Sequence, residues 1–410
     1  MPEILLGYGK RRVPFFYDGI KWQILGGDHS PEPLSDAEIN SKFDDARLDD
    51  LFSPSETVLI VVPDATRRIG TGQIVNLLVR RLIQNGMTPD KMRIIFATGI
   101  HRKVTAHERE EILTPFIAQR INLIDHDARD LARNVRVGRS SCGISVELNR
   151  ALVEHDRVIA IGGISFHYFA GFTGGRKLIC PGLASSTTIR ETHKLAFDTE
   201  RLSRREGVGP ALLDGNAVNE AFVEAAEFRP PDLVISTFVD SSGDITDIYC
   251  GDWKTSHREA CDEFRRRATV EIDHRRDLVI ASCGGSPFDL NMIQAHKALE
   301  AATKACVPGG RIILIAQCSD GLGRDDFLSW FDCPDSKALA SRLSERYQVN
   351  GQTAWNLMRR CEEFSVFLLS DLPDDVVRNM RMTPISNLLQ FEQEAGYVMP
   401  IASKLLIKGN

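Results

Sequence analysis

The apolar residues of the first half of the chain alternate between strand and helix patterns. A β-branched run from Thr57 ends in a turn at Asp64, which predicts a strand. Apolar positions at helical spacing then predict a helix over 71–85, closed by Gly86, and residues 92–97 form the next predicted strand. Because strand, helix and strand follow in that order, we expect a right-handed parallel crossover.

The same alternation continues along the chain and starts again after a charged stretch. Further strands are predicted at 120–125, 157–161 and 232–236, and a second block has strands at 277–282, 311–316 and 365–370 with a helix at 291–303. The charged segments 263–267 and 273–277 are interpreted as a solvated connection, which puts a domain boundary near residue 270. The sequence therefore predicts two α/β domains, residues 1–270 and 271–410, with mainly parallel sheets and a cleft between them.

Bulk composition narrows the class of protein. The chain has 410 residues, of which 43% are hydrophobic and 26% charged, as expected for a globular protein with two domains. Its net charge of -6 argues against non-specific nucleic-acid binding, and no apolar run is long enough to span a membrane. We expect a cytoplasmic protein with reduced thiols, because there is no signal-peptide pattern and the nine cysteines include no Cys-x-x-Cys pair.

Polar and glycine-rich clusters follow four of the predicted strands. They are the segments 64–68 and 97–102, His167, and the segment 282–285. Open α/β sheets bind ligands at the carboxyl ends of their strands. We therefore expect these four clusters to contribute to one site.

The segment 162–182 is the most informative part of the sequence. Five glycines within fourteen residues, from Gly162 to Gly175, favour neither helix nor strand and suit a backbone that approaches a ligand closely. His167 and His193 lie on either side of Lys177. Two imidazoles and an amine beside such a loop can bind metal, move protons and bond covalently to a cofactor.

Each motif also has a plainer interpretation. The loop 171–177 is not a P-loop, because it lacks the terminal Gly-Lys-Ser/Thr, and Gly70-Thr71-Gly72 lacks the third glycine of a dinucleotide fingerprint. The segment 64–68 can bind a phosphate or carboxylate, or be an ordinary helix cap with surface arginines. Gln294 and Lys297 share a helix face. The remaining histidines are predicted to be surface residues: His29, His107, His126, His155, His257, His274 and His296.

Taken together, the motifs resemble the nickel-pincer-nucleotide lactate racemase family, which contains racemases and epimerases of 2-hydroxy acids. The resemblance is carried, across roughly residues 60 to 300, by the segments 64–67, 97–102, 167–182 and 282–285 with His193, Gln294 and Lys297. The order and spacing of these motifs are more specific to the family than any single motif is. The resemblance implies two α/β domains, the first holding the cofactor, with the active site between them.

The resemblance also implies roles for individual residues. Lys177 would be linked covalently to the nickel-pincer nucleotide, a nickel-bearing pyridinium mononucleotide with two sulfur-containing arms, and His193 would bind the nickel. His101 and His167 match the two acid/base histidines. The cofactor region would comprise Asp64, Thr66, Gly174, Gly175 and Arg176, and the substrate pocket Arg67, Gln294, Lys297, Ile293 and Trp355.

The implied reaction is racemisation of a 2-hydroxy acid by reversible hydride transfer through a planar 2-keto acid. Hydride returns to either face, so two histidines near neutral pKa serve the two geometries, and an arginine grips the carboxylate. A soft, sulfur-rich nickel centre with one imidazole suits a planar site. The expected partners are a small 2-hydroxy acid and the separate enzymes that make the cofactor.

One departure puts the substrate in doubt. Ile293 stands where the lactate enzyme carries a tyrosine, so lactate does not follow as the substrate. Two other functions stay open at this stage. A dehydrogenase using a dissociable nicotinamide would need a complete dinucleotide fingerprint, which is absent. A non-catalytic protein that binds a small acid or nucleotide would be favoured by loss of Lys177 or of either catalytic histidine, and all three are present.

Overall fold

Two six-stranded sheets organise the chain. The computed structural model describes residues 2–27, 31–240 and 242–409, so His29 lies outside the described residues. The strands of the two sheets are β1 (Trp22–Ile24), β2 (Val58–Pro63), β3 (Met92–Ala97), β4 (Asn122–Asp125), β5 (Arg157–Gly163), β6 (Leu233–Val239), β7 (Ile245–Gly251), β8 (Arg276–Ser282), β9 (Cys306–Ile315), β10 (Ser365–Leu369), β11 (Thr383–Ile385) and β12 (Gly396–Met399).

The first sheet has the order β7-β6-β5-β2-β3-β4 and is parallel except for the edge strand β7. All six residues of β2 are buried, as expected for a parallel strand covered on both faces. Ile60 and Val62 belong to one apolar core, whereas Leu59 and Val61 belong to another. The strand order reverses between β2 and β5, and ligands commonly bind at such a point.

Helices cover these sheets, and short two-stranded pairings complete the chain. The helices are α1 (Asp36–Asp45), α2 (Leu48–Leu51), α3 (Thr71–Gln84), α4 (Ala106–Ile112), α5 (Pro115–Arg120), α6 (Arg150–Glu154), α7 (Ser186–Lys194), α8 (Ala217–Glu227), α9 (Thr255–Ala268), α10 (Met292–Ala305), α11 (Ser336–Glu345), α12 (Val349–Glu363) and α13 (Asp374–Asn379). Two-stranded pairings join Glu3–Tyr8 with Arg11–Phe16, Asn134–Arg139 with Ser145–Asn149, Phe166–His167 with Gly171–Phe172, Phe197–Asp198 with Ser203–Arg204, and Thr269–Ile272 with Leu406–Gly409. No helix within the described ranges is long and apolar enough to cross a membrane.

The second sheet is wholly parallel and has the order β11-β10-β9-β8-β12-β1. Its edge strand β1 comes from the N-terminus, and Phe15 and Trp22 pack with Leu278 and Ile280 on one face of β8. The opposite face of β8 packs against α10. The first residues of the chain therefore lie with the second sheet, although the pattern-based division assigns them to the first domain; the boundary near residue 270 stays a prediction.

Two interpretations of the sequence are wrong. Residues 263–267 are the last turns of α9 and not a loop, and residues 269–272 form a strand that pairs with Leu406–Gly409. His126, His155, His257 and His296 are buried, not surface residues. Each of these rings is within hydrogen-bond distance of a backbone carbonyl oxygen, which makes burial of a neutral imidazole acceptable. His107 and His274 are exposed as predicted.

Candidate functional site

A cavity of about 170 Å³ lies between the two sheets, at the ends of β2, β3 and β5 and beside the start of α10. Residues from both α/β blocks line it. Eleven of the predicted site residues line this cavity: Asp64, Thr66, Arg67, His101, His167, Gly174, Lys177, His193, Ile293, Gln294 and Lys297. The tertiary structure thus brings together side chains as far apart in sequence as Asp64 and Lys297.

Asp64 orients His101. Its carboxylate accepts hydrogen bonds from the backbone N–H and hydroxyl of Thr66 through Oδ1, and contacts His101 Nδ1 at 2.7 Å through Oδ2. Burial raises the pKa of Asp64, but His101, Thr66 and Arg67 together outweigh it and hold that pKa at about 2. The ionised carboxylate accepts the Nδ1 proton of His101 and leaves Nε2 as the basic atom.

His167 is held in the opposite tautomer. The backbone N–H of Ala170 donates to its Nδ1 at 3.2 Å, so the proton of the neutral ring is on Nε2. Burial, followed by the charges of Lys177, Lys297 and Arg67, keeps the pKa of His167 well below its usual value. The cavity is therefore lined by His101, whose Nε2 can accept a hydrogen bond, and by His167, whose Nε2–H can donate one.

His193 lies on α7, and its Nδ1 is 2.7 Å from the carbonyl oxygen of Ile189 one turn earlier. That carbonyl takes the Nδ1 proton, and Nε2 keeps a lone pair. Burial is the main reason that the pKa of His193 falls to about 3. A neutral imidazole whose second nitrogen donates to a carbonyl is the usual form of a metal ligand.

Lys177 has an apolar environment on two sides. Gly174, in a backbone conformation open only to glycine (φ 75°, ψ −176°), leads into a short 3₁₀ turn, Gly175–Leu178, which carries the lysine. The Nζ atom lies 4.9 Å from the ring centre of Phe222 and 5.8 Å from that of Phe169. Burial, and then the charge of Arg176, keep the pKa of Lys177 well below its usual value, which favours the unprotonated, nucleophilic form of its amine.

The lowered pKa of Lys177 gives a pH-dependent prediction. Acetic anhydride reacts only with unprotonated amines, so at pH 7 Lys177 should be acetylated faster than exposed lysines by on the order of tenfold or more. A series from about pH 6 to about pH 9, followed by peptide mass spectrometry, gives the rates at Lys177 and at the exposed Lys10. The rate at Lys177 should reach its plateau at a lower pH than the rate at Lys10 does. If the two rates rise in parallel over the whole series, the amine is an ordinary one.

Three groups join the two domains at the base of the cavity. Lys297 Nζ donates to Gln294 Oε1 at 2.6 Å, and Arg67 Nη1 donates to the same oxygen at 3.4 Å. Asn291 caps α10 by accepting from the Gln294 N–H, which fixes the first turn of the helix that carries both residues. Arg67 also lines a wider neighbouring cleft of about 1170 Å³.

The cavity has an excess of basic side chains. Arg67, Lys177 and Lys297 line it, and among its described residues Asp64 is the only carboxylate. Burial, together with the mutual repulsion of these cations, keeps the pKa of Lys297 well below its usual value. An anion in the cavity would relieve this repulsion, so the site is suited to a carboxylate or a phosphate.

Family models match both halves of the chain. The lactate racemase N-terminal domain model matches residues 23–204, and the lactate racemase C-terminal domain model matches residues 272–407. The chain belongs to the lactate racemase family. Racemases are isomerases, so the family assignment makes this protein an enzyme of the isomerase class.

Individual relatives agree with the family assignment. Lactate racemase of Thermoanaerobacterium thermosaccharolyticum is 28% identical over 402 residues, 95% of this chain and 93% of the relative, and that of Lactiplantibacillus plantarum is 29% identical, covering 86% and 83%. The apoprotein structure of the former has a TM-score of 0.87 at 26% identity and covers 99% of this chain and 100% of that chain. A Thermotoga maritima protein with a TM-score of 0.74 at 20% identity, covering 93% and 100%, shares the fold.

Three predicted site residues of this lactate racemase family member do not line the cavity. Arg176 is buried, and its guanidinium donates to Asn219 Oδ1 and to the carbonyl oxygen of Ala170, both at 2.8 Å. Gly175 packs so closely on His257 that a Cβ atom would lie 2.5 Å from the ring. Trp355 lies in the core of the second domain, edge-on to Phe197. Arg176 thus supports the glycine-rich loop, and Trp355 supports α12, the helix on which Trp355 lies.

Other lining residues were missed in the sequence. Phe169 and Tyr168 follow His167 and form part of the wall, and the Tyr168 hydroxyl is 3.1 Å from Thr353 Oγ1 on the second domain. His296 also lines the cavity, between Gln294 and Lys297 on α10. The position of Tyr168 and Phe169 beside His167 was the available signal. No periodicity distinguishes a residue that faces a cavity from one that faces a core.

Proposed function

We propose that this protein is a racemase or epimerase of a 2-hydroxy acid that carries the nickel-pincer nucleotide on Lys177. The observation that carries the proposal is the cavity itself, where three basic side chains and four histidines with defined tautomers meet one carboxylate that is already engaged by His101. A 2-hydroxy acid brings a carboxylate for the cations and a hydroxyl proton for the histidines. Membership of the lactate racemase family supports the same class of reaction.

The residues present fit the proposed cofactor. The neutral amine of Lys177 is able to form a covalent link, and His193 Nε2 has the lone pair needed to bind nickel. Within the described residues no group of three or more His, Cys, Asp or Glu side chains is placed to hold a metal, so nickel at His193 would take its other ligands from the nucleotide. The chemistry that the group supplies when bound is reversible acceptance of hydride from C2 of the substrate.

The side chains around the cavity would hold and orient the substrate. Arg67 and Lys297 supply the positive charge for the carboxylate, and Gln294 Oε1 fixes both cations relative to each other across the domain boundary. Tyr168 and Phe169 form part of the opposite wall and exclude water. The substrate is thereby fixed at one end, while C2 and its hydroxyl stay free to adopt two arrangements.

The two histidines would handle the hydroxyl proton. His101 Nε2 accepts it, and the Asp64 carboxylate stabilises the imidazolium that forms. His167 Nε2–H would donate a hydrogen bond to the oxygen on C2. Before Nε2 can accept a proton, the ring must give up the hydrogen bond that its Nδ1 accepts from the Ala170 N–H. The two enantiomers are therefore expected to use different rings.

Turnover of C2-deuterated substrate tests the proposed function. Holoenzyme supplied with one labelled enantiomer of a 2-hydroxy acid should produce the opposite enantiomer with the deuterium retained, because hydride and not a proton leaves carbon. Chiral chromatography with mass spectrometry measures both quantities. Exchange of the label with water would mean direct proton abstraction, and binding without any inversion would favour the non-catalytic function.

Nickel binding gives a separate prediction. His193→Ala should lose nickel while keeping the organic adduct on Lys177, because His193 supplies the metal ligand and not the covalent link. Metal analysis and intact mass of the same sample measure the two quantities. His155→Ala is a matched control, since His155 is also buried and also bonds a backbone carbonyl one turn earlier, but lies outside the cavity. Equal nickel content in both variants would place the ligand elsewhere.

Substrate identity depends on the wall beside the cations. Ile293 lines the cavity one residue before Gln294 and presents no polar atom. Tyr168 supplies an aromatic hydroxyl from another element, but Thr353 engages it. The side chain of the substrate therefore faces groups different from those expected for lactate, and we propose that another 2-hydroxy acid is preferred.

A further inference from the structure

His296 has an unused hydrogen-bonding atom. The ring is 1% exposed, lines the catalytic cavity and lies on α10 between Gln294 and Lys297. Its Nδ1 is 2.6 Å from the carbonyl oxygen of Ile293, whereas its Nε2 is buried and has no hydrogen-bond partner among the described residues. Buried polar atoms are nearly always paired, so an unpaired one beside a ligand cavity indicates a missing ligand group.

The chemistry of that group follows from the tautomer. The Ile293 carbonyl takes the Nδ1 proton, so Nε2 carries a lone pair and needs a donor. Burial, and then the charge of Lys297, lower the pKa of His296 to about 4, so the ring is neutral near pH 7. A purely apolar ligand group cannot donate to this nitrogen, and the basic side chains that line the cavity disfavour an ammonium donor, so a hydroxyl is the most suitable group.

No described side chain reaches His296 Nε2 with a donor. Tyr168 meets the imidazole edge to face, with ring centres 4.6 Å apart, and its hydroxyl is engaged with Thr353. The amine of Lys297 is directed to Gln294. A ligand bound in the cavity can supply the missing donor. A substrate carboxylate has none at neutral pH, and under the proposed function the C2 hydroxyl is engaged by His101 or His167.

We propose that His296 Nε2 accepts a hydrogen bond from a second hydroxyl of the substrate, so that this enzyme prefers 2-hydroxy acids that also carry a hydroxyl on C3. The proposal rests on the proposed function. It assigns His296 as a residue that determines specificity, on the helix that also carries Gln294 and Lys297. A substrate without the second hydroxyl leaves the buried nitrogen unpaired, and sites built in this way discriminate strongly against the analogue that lacks the group.

Glycerate and lactate form a matched pair for the test, because they differ only in the C3 hydroxyl. Wild-type holoenzyme should racemise glycerate with a kcat/KM higher than that for lactate by on the order of a hundredfold. His296→Asn retains a polar group near the position of Nδ1 but lacks Nε2, and it should remove most of this preference. His296→Gln, which places a polar group near the position of Nε2, should retain part of it.

Several outcomes would overturn the proposal. Equal or better use of lactate by the wild type would do so, and so would an unchanged glycerate-to-lactate ratio in His296→Asn. A ribose hydroxyl of the cofactor is the other source of a hydroxyl donor. In that case the variants would lose cofactor, measured by intact mass, and lose both substrates equally, which also overturns the proposal.

Calorimetric titration of the cofactor-free protein makes the test independent of turnover. Glycerate should bind the wild type more tightly than lactate does, and the difference should shrink in His296→Asn. Failure of both acids to turn over, with this binding difference present, would count against the proposed function and not against the role of His296. No difference in binding, together with no turnover, would overturn both.

Discussion

Replacing Lys177 with alanine is expected to abolish covalent attachment of the cofactor completely. Wild-type protein produced with the cofactor pathway should have an intact mass that exceeds the apoprotein mass by one nucleotide-sized adduct. The expectation depends on the amine, which lies beside Phe169 and Phe222 and whose pKa is lowered by burial and by Arg176, which favours its nucleophilic form. The Lys177 side chain makes no hydrogen bond among the described residues. Loss of a structural contact would therefore not explain a complete loss of the adduct.

Lys297→Ala is the matched control for this experiment. Lys297 lines the same cavity, and burial and neighbouring cations lower its pKa as well, but it is bonded to Gln294. The Lys297 variant should therefore keep the adduct and lose affinity for the substrate. An adduct that survives Lys177→Ala, or that disappears only in Lys297→Ala, would move the attachment point and contradict the assignment.

Removing either histidine is expected to lower racemisation by on the order of a hundredfold to ten-thousandfold, the range for a positioned acid or base. His101→Ala removes the imidazole that pairs with the Asp64 carboxylate, and His167→Ala removes the ring whose Nε2 carries the proton. Because the two enantiomers interconvert with an equilibrium constant of one, each variant must slow both directions equally. Steady-state kcat/KM for both enantiomers measures the loss.

A single-turnover experiment separates the two roles. If each ring serves one enantiomer, each loaded variant should still convert one enantiomer to the 2-keto acid and fail with the other, and the retained enantiomer should differ between the variants. Asp64→Asn should behave like His101→Ala, because an amide donates a proton where the carboxylate accepted one and turns the ring to the wrong tautomer. Equal loss for both enantiomers in every variant would mean that the rings do not divide the work.

Local patterns in the sequence were sufficient for the elements that carry the site. The predicted strand ending at Asp64 and the predicted helix over 71–85 are confirmed as β2 and α3, and the strand at 92–97 is confirmed as β3. Apolar periodicity predicts these elements because each helix or strand buries an apolar face, whichever element it packs against. The cluster of chemistry at strand ends could be predicted for the same reason, since parallel strands bring their carboxyl ends to one edge.

Long-range pairing was not predictable. Residues 22–24 form an edge strand of the second sheet, more than 370 residues before the strand that they join, and no local signal marks such a partner. The family resemblance implies Arg176 and Trp355 at the site, but Arg176 donates to Asn219 and Trp355 packs on Phe197. The direction of a side chain depends on its neighbours in space.

The sequence by itself therefore determined the α/β class, the resemblance to the lactate racemase family and the types of side chain available for chemistry. The tertiary structure alone decided which tautomer each histidine adopts, because a single carboxylate or carbonyl contact sets it. It also decided that His296 is a cavity residue with an unpaired nitrogen and not a surface histidine. The free energy of a charge or of an unpaired polar atom depends strongly on whether the group is buried, and residue type alone does not determine this. Burial is fixed only when distant segments pack together.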